Sequence, residues 1–97
     1  MPHDYESFRR VLENEPYPHR YTHKVIGRIS DAFERGVAEL ESRFPRAVRV
    51  TRRESSPREG AAAQYVSYTF ELEARDADEI LALVQFTETI SDAVMML

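Results

Sequence analysis

A chain of 97 residues makes one domain with one core, since a protein of this size buries roughly 60–65% of the surface its unfolded chain exposes. It has no cysteine, which excludes disulfides and thiolate chemistry, and no apolar run near the ~18 residues of a membrane span. The net charge of −4 is uneven: residues 1–58 hold 12 of the 13 basic side chains against 9 acidic ones, whereas residues 59–97 hold only Arg75 against 8. Nucleic-acid binders carry a basic domain or a coherent basic stripe, and the one basic cluster here is Arg46, Arg49, Arg52, Arg53 and Arg58. The opening Met-Pro-His-Asp-Tyr-Glu has neither a basic n-region nor an apolar run, so the expectation is a soluble cytoplasmic protein with no membrane association.

Residues 4–15 read as a short amphipathic helix, capped by Asp4, with Tyr5, Phe8 and Leu12 on one face. Pro16 and Pro18 stop it, and a dozen residues must dock on something or fray, so residues 1–19 read as an N-terminal arm. Residues 20–27 alternate as a first strand, with Tyr21, His23 and Val25 on one face and Thr22, Lys24 and Ile26 on the other. Gly27 is expected to end it, through positive φ or close backbone approach. Asp31 and Glu34 have capping-box spacing for a helix whose face is Ile29, Phe33, Val37, Leu40 and Phe44. Gly36 costs that helix about 1 kcal/mol against alanine, which close approach to the sheet would explain. Pro45 closes it.

Residues 46–54 form the second strand, with Val48 and Val50 expected inward and Arg49, Thr51 and Arg53 outward. Ser55-Ser56-Pro57-Arg58-Glu59-Gly60 is turn chemistry. The strongest pattern in the chain follows: Val66, Tyr68, Phe70 and Leu72 alternate with Tyr65, Ser67, Thr69, Glu71 and Glu73, a strand with one buried face. Asp76 and Glu79 repeat the capping-box spacing before a second core helix, whose inward set is Ala77, Ile80, Leu83, Val84 and Thr87. Leu81 and Phe86 fall off that stripe, and residues 93–97 supply a last strand.

The order is β-α-β-β-α-β after a helical arm. Right-handed crossovers and the central hairpin then lead to an α+β, ferredoxin-like plait over residues 20–97: a four-stranded antiparallel sheet of order 4-1-3-2 with two helices on one face.

Three stretches carry a resemblance. Lys24-Val25-Ile26-Gly27, Tyr65-Val66-Ser67 and the terminal Val94-Met95-Met96-Leu97 are similar, in order and separation, to motifs of the YbeD-like family of small bacterial proteins of unknown function. The resemblance covers about residues 16–97. It implies the same plait, similar to ACT-type regulatory domains that bind small effectors and pair up, and it implies no assigned activity. The chain departs from the pattern at Ala61-Ala62-Ala63-Gln64 where a glycine is usual, at Thr87 where a leucine is expected, and at Leu81 and Phe86 where charges are common.

Enzyme chemistry finds little to work with. His19 and His23, four apart in an extended strand, lie ~13 Å from each other, and His3 is in the arm, so no metal site or cofactor is expected and His23 reads as a core or boundary histidine. Ser55, Ser56 and Ser67 have no nearby histidine in sequence, and three glycines form no phosphate loop. The acidic runs at Glu71/Glu73 and Asp76/Asp78/Glu79 read as a wet strand face and a helix N-terminus. The expectation is a non-enzymatic regulatory or binding module. It would sense a small acidic metabolite or pair with a partner protein; the alternative is RNA or single-strand binding on the open sheet face, where only Tyr65 could stack a base. Gly27, Arg28 and Ile29, at the first free amides of the helix, are the candidate ligand residues. Val94 and Met96 on an uncharged edge strand, with Leu81 and Phe86 beside it, are the candidate homodimer interface.

Overall fold

The computed structural model describes residues 5–55 and 62–97, so His3, the Asp4 cap and the turn over 56–61 lie outside the described residues. The elements run α1 (Tyr5–Glu13), β1 (His19–Arg28), α2 (Asp31–Arg43), β2 (Val48–Glu54), β3 (Tyr65–Ala74), α3 (Ala77–Glu88) and β4 (Ala93–Met96). All strand pairs are antiparallel, and the sheet order is β2-β3-β1-β4, which counted from its other edge is 4-1-3-2.

β3 lies inside the sheet, as its alternation demands. Val66, Tyr68, Phe70 and Leu72 are buried, while Ser67, Thr69 and Glu71 keep partial access to solvent. Its register with β1 sets Val25 opposite Tyr68 and His23 opposite Phe70, so one apolar face runs across both strands. α2 and α3 cover that face. Phe33 meets the Tyr68 ring at 6.0 Å between centroids, and His23 reaches Thr87. The inward set of α3, Ala77, Ile80, Leu83, Val84 and Thr87, is buried throughout.

Several local expectations need correction. Gly27 does not end its strand, because β1 continues to Arg28 and the Phe33 ring occupies the space a Cβ would need. Gly36 makes its close approach to Ile90, beyond α3, and not to the sheet. The cap of α2 is Ser30: its Oγ accepts the Phe33 amide at 3.0 Å, and Asp31 is already the first helical residue. Ile29 lies ahead of the helix and is exposed, while Phe33, Val37 and Leu40 form the buried face.

The facing of β2 also differs. Val48 and Val50 are exposed, and Arg49 pairs with Phe70 on the helix side. The register shifts between Arg49 and Thr51, so Thr51 and Arg53 return to the open face while Arg52 stays on the helix side. The reason lies in what covers the edge. Arg49 and Arg52 set their guanidinium groups over the Tyr68 ring, 4.7 and 5.6 Å from its centroid, and pair them with carboxylates. Arg49 meets Glu41 at 2.6 Å; Arg52 meets Glu34 at 3.2 Å and Glu54 at 3.0 Å.

α1 docks on α3. Arg9 pairs with Asp78, and the Tyr5 hydroxyl donates to Glu88. Leu81 lies on the same helical stripe, between those two contacts, and α1 buries it along with Leu12. Leu81 is thus core and not edge surface. Phe86 sits roughly 140° around α3 from Leu81, half-buried against Phe44 at 5.9 Å and Arg43 at 5.1 Å. Neither residue extends the β4 edge. Among the described residues, no helix is long and apolar enough to cross a membrane.

Candidate functional site

The turn between β1 and α2 has no free amides at Arg28 and Ile29. The Arg28 N–H donates to the Asp92 carbonyl at 2.9 Å and the Ile29 N–H to the Gln64 carbonyl at 3.1 Å. Asp92, held at φ 66, also takes a hydrogen bond from the Ser30 hydroxyl through its carboxylate at 2.6 Å. That carboxylate sets a negative charge beside the helix start, where an anionic ligand would have to approach. Gly27 is already filled by Phe33.

The open sheet face carries Thr22, Lys24 and Ile26 of β1, Tyr65, Ser67, Thr69, Glu71 and Glu73 of β3, and Thr51 and Arg53 of β2. Tyr65 lies at its end, with the Arg28 guanidinium 6.0 Å from the ring centroid. Met95 and Leu97 lie opposite Ile26 and Lys24 and add exposed apolar surface beside the outer strand.

A buried polar pair, His23 and Thr87, lies elsewhere, where β1 meets α3. A cavity of about 230 Å³ is lined by Phe8, Tyr21, His23, Val84, Met96 and Leu97. Each is placed by its element's period. Tyr21 and His23 share the inward face of β1, Val84 the inward face of α3, and Met96 stands opposite Val25 on the helix side of the sheet. Phe8 closes the outer wall from α1.

His23 is buried completely, at 0% exposure, and Tyr68 nearly so at 1%. Its tautomer follows from its neighbours. The Thr87 hydroxyl donates to the Leu83 carbonyl at 2.8 Å, so its oxygen accepts from His23 Nε2–H at 3.0 Å. Nδ1 is then the unprotonated nitrogen, and it has no hydrogen-bond partner. Leaving such an acceptor unsatisfied costs about 1–3 kcal/mol. Burial also pushes the imidazole pKa down to about 4, so the ring is neutral at pH 7. The Tyr21 ring stacks on it at 5.9 Å, and burial raises the Tyr21 hydroxyl above its ordinary value.

Sequence reasoning read His23 as a core or boundary histidine and did not mark the cavity. Thr87 was the available signal: a hydroxyl on an otherwise apolar stripe, at a position where the resemblance expects leucine. Among the described residues, no group of three or more His, Asp or Glu side chains is placed to hold a metal ion.

A family model described as protein of unknown function (DUF493) matches residues 13–97. The chain belongs to the DUF493 family. This is the YbeD-like family of small bacterial proteins to which the three motifs pointed. No curated protein and no solved structure matches the chain. The DUF493 match begins at the last residue of α1, so Phe8, one wall of the cavity, precedes it.

Proposed function

We propose that this DUF493 protein is a non-enzymatic binding module, a ferredoxin-like plait of the ACT type that holds a small molecule in the cavity beside His23. The observation that carries this reading is the cavity of about 230 Å³ where α1, β1, α3 and β4 meet, lined mainly by apolar and aromatic residues. The β-α-β-β-α-β order after α1, with both helices against one face, supports the plait. The chemistry of the lining supports binding without turnover. Acid–base catalysis works best with a group titrating near the working pH, and an imidazole with a pKa of about 4 is a weak base at pH 7. The cysteine-free composition fits a cytoplasmic setting.

A second copy of the chain is the protein partner that this reading adds. β4 is a sheet edge, and Val94, Met95 and Leu97 on or beside it are each at least half exposed.

Thermal unfolding with a panel of phenols, short alcohols, amino acids and carboxylic acids tests the binding reading. A ligand at about 100 times its Kd stabilises the native state by ~2.7 kcal/mol. At least one class should raise the midpoint, and Val84→Phe, which fills the cavity, should abolish the rise. No stabilisation by any class at millimolar concentration, or stabilisation that survives Val84→Phe, contradicts it.

A further inference from the structure

We propose that the open face of the sheet carries a second, separate site, for a compact organic phosphate whose phosphate is held by Lys24 and Arg53 and whose organic part lies against Tyr65. The site goes beyond the reading above and does not depend on it, since the cavity lies on the helix side of the sheet.

The first observation is a shared hollow. Lys24, Ile26, Arg53, Ser55, Tyr65 and Ser67 line one depression of about 190 Å³. The register brings them there: Ile26 and Arg53 both stand opposite Ser67 and Lys24 opposite Thr69, so the two cations flank β3 from either side. Strands two places apart in a sheet lie roughly 10 Å from each other. Both side chains are long enough to bring their charges to one phosphate between them.

The second observation is what these cations lack. Arginines elsewhere hold carboxylates, from Arg9 with Asp78 to Arg75 with Glu79. Lys24, Arg28 and Arg53 form no ion pair with any described residue, although the chain has 17 acidic side chains against 13 basic ones. Glu54, the carboxylate among the lining residues, is held by Arg52 at 3.0 Å. Cations gathered without a counter-ion repel one another, and an anion between them relieves that repulsion. Ser55 adds a donor. Its Oγ accepts the Gln64 and Tyr65 amides at 3.3 and 3.2 Å, so among the described residues its proton is left to give to a ligand oxygen.

The ligand class follows from the rest of the face. A phosphomonoester carries close to two negative charges at pH 7, matching two cations where a carboxylate brings one charge. Tyr65, 36% exposed with the Arg28 guanidinium 6.0 Å from its centroid, offers an aromatic surface beside the charges. Glu71 and Glu73 stand farther along the same face of β3, roughly 13–20 Å from Ser67. An extended nucleic-acid strand laid along the face would meet those carboxylates, whereas a compact phosphate stays clear of them.

The test is a titration of the full ¹⁵N-labelled chain with phenyl phosphate, benzoate and a short single strand of thymidylate DNA, read by amide shifts. Phenyl phosphate should move Lys24, Ile26, Arg53, Tyr65 and Ser67 together in a saturable way and bind several-fold tighter than benzoate. Lys24→Gln and Arg53→Gln leave the buried face of the sheet untouched, and each should weaken phenyl phosphate by up to about fivefold. Phenyl phosphate that leaves these five amides unmoved at tens of millimolar, or whose affinity survives the double variant, overturns the inference. Benzoate binding equally well overturns it too, as do shifts at Phe8, His23 and Val84 in place of these five. DNA that binds more tightly than phenyl phosphate, with shifts reaching Glu71 and Glu73, overturns it in favour of a nucleic-acid surface.

Discussion

At the scale of the residue, His23 is a group that folding holds neutral. Its unfolded pKa is ~6.5 and its folded value about 4. As pH falls through the unfolded value the unfolded chain takes up a proton that the native ring refuses, so unfolding gains. The contribution is complete above about pH 6.5 and is lost progressively down to about pH 4, up to ~3 kcal/mol in all. Tyr21, stacked on the ring, stays neutral across that window because burial raises its pKa, and Thr87 does not titrate. His23→Leu removes the titrating ring and leaves the Thr87 hydroxyl bonded to the Leu83 carbonyl. Urea unfolding from pH 7 to pH 4 should therefore show wild type losing stability faster than the variant. Parallel curves would mean that His23 takes up its proton equally in both states.

At the scale of the element, what was legible was what regular periodicity records. β3 and the stripe of α3 come directly from periods of two and 3.6, and both faces are as the spacing predicts. β2 is not legible in that way, because one extra residue at Val50 resets the parity that alternation assumes. Arg49 and Arg52 look outward by charge, yet they face the helices because their guanidinium groups sit over Tyr68 and find Glu41, Glu34 and Glu54. Leu81 was misplaced for a different reason: its cover is α1, a partner that no local pattern in α3 names. The cavity was hidden for the same reason, since it exists only where distant elements meet.

Self-association through β4 is best tested at Val94. Met96 lines the cavity and Leu81 is buried, so neither is a clean probe of self-association. Val94 is 50% exposed at an edge strand without charged side chains, and a lysine there adds the charge that edge strands commonly use against pairing. Sedimentation velocity should show a dimer growing through the micromolar range in wild type and a monomer in Val94→Lys. A wild type that stays monomeric to high micromolar concentration excludes pairing through β4.

At the scale of the whole molecule, a helix ahead of most of the DUF493 match borders a cavity beside the sheet. The family match covers residues 13–97, and α1, anchored to α3 through Arg9 and Tyr5, brings Phe8 over the inward faces of β1 and α3. We propose that this junction is where the protein binds its ligand. The β1–α2 turn is the competing place, but Arg28 and Ile29 have already committed their amides and Asp92 has brought a negative charge beside them. Mapping the amide shifts of the full chain as a stabilising ligand is added separates the two directly. The perturbed amides should cluster at Phe8, Tyr21, His23, Val84 and Met96, residues that α1, β1, α3 and β4 bring together at the cavity. Perturbations confined to residues 27–32, with those five unmoved, would contradict it.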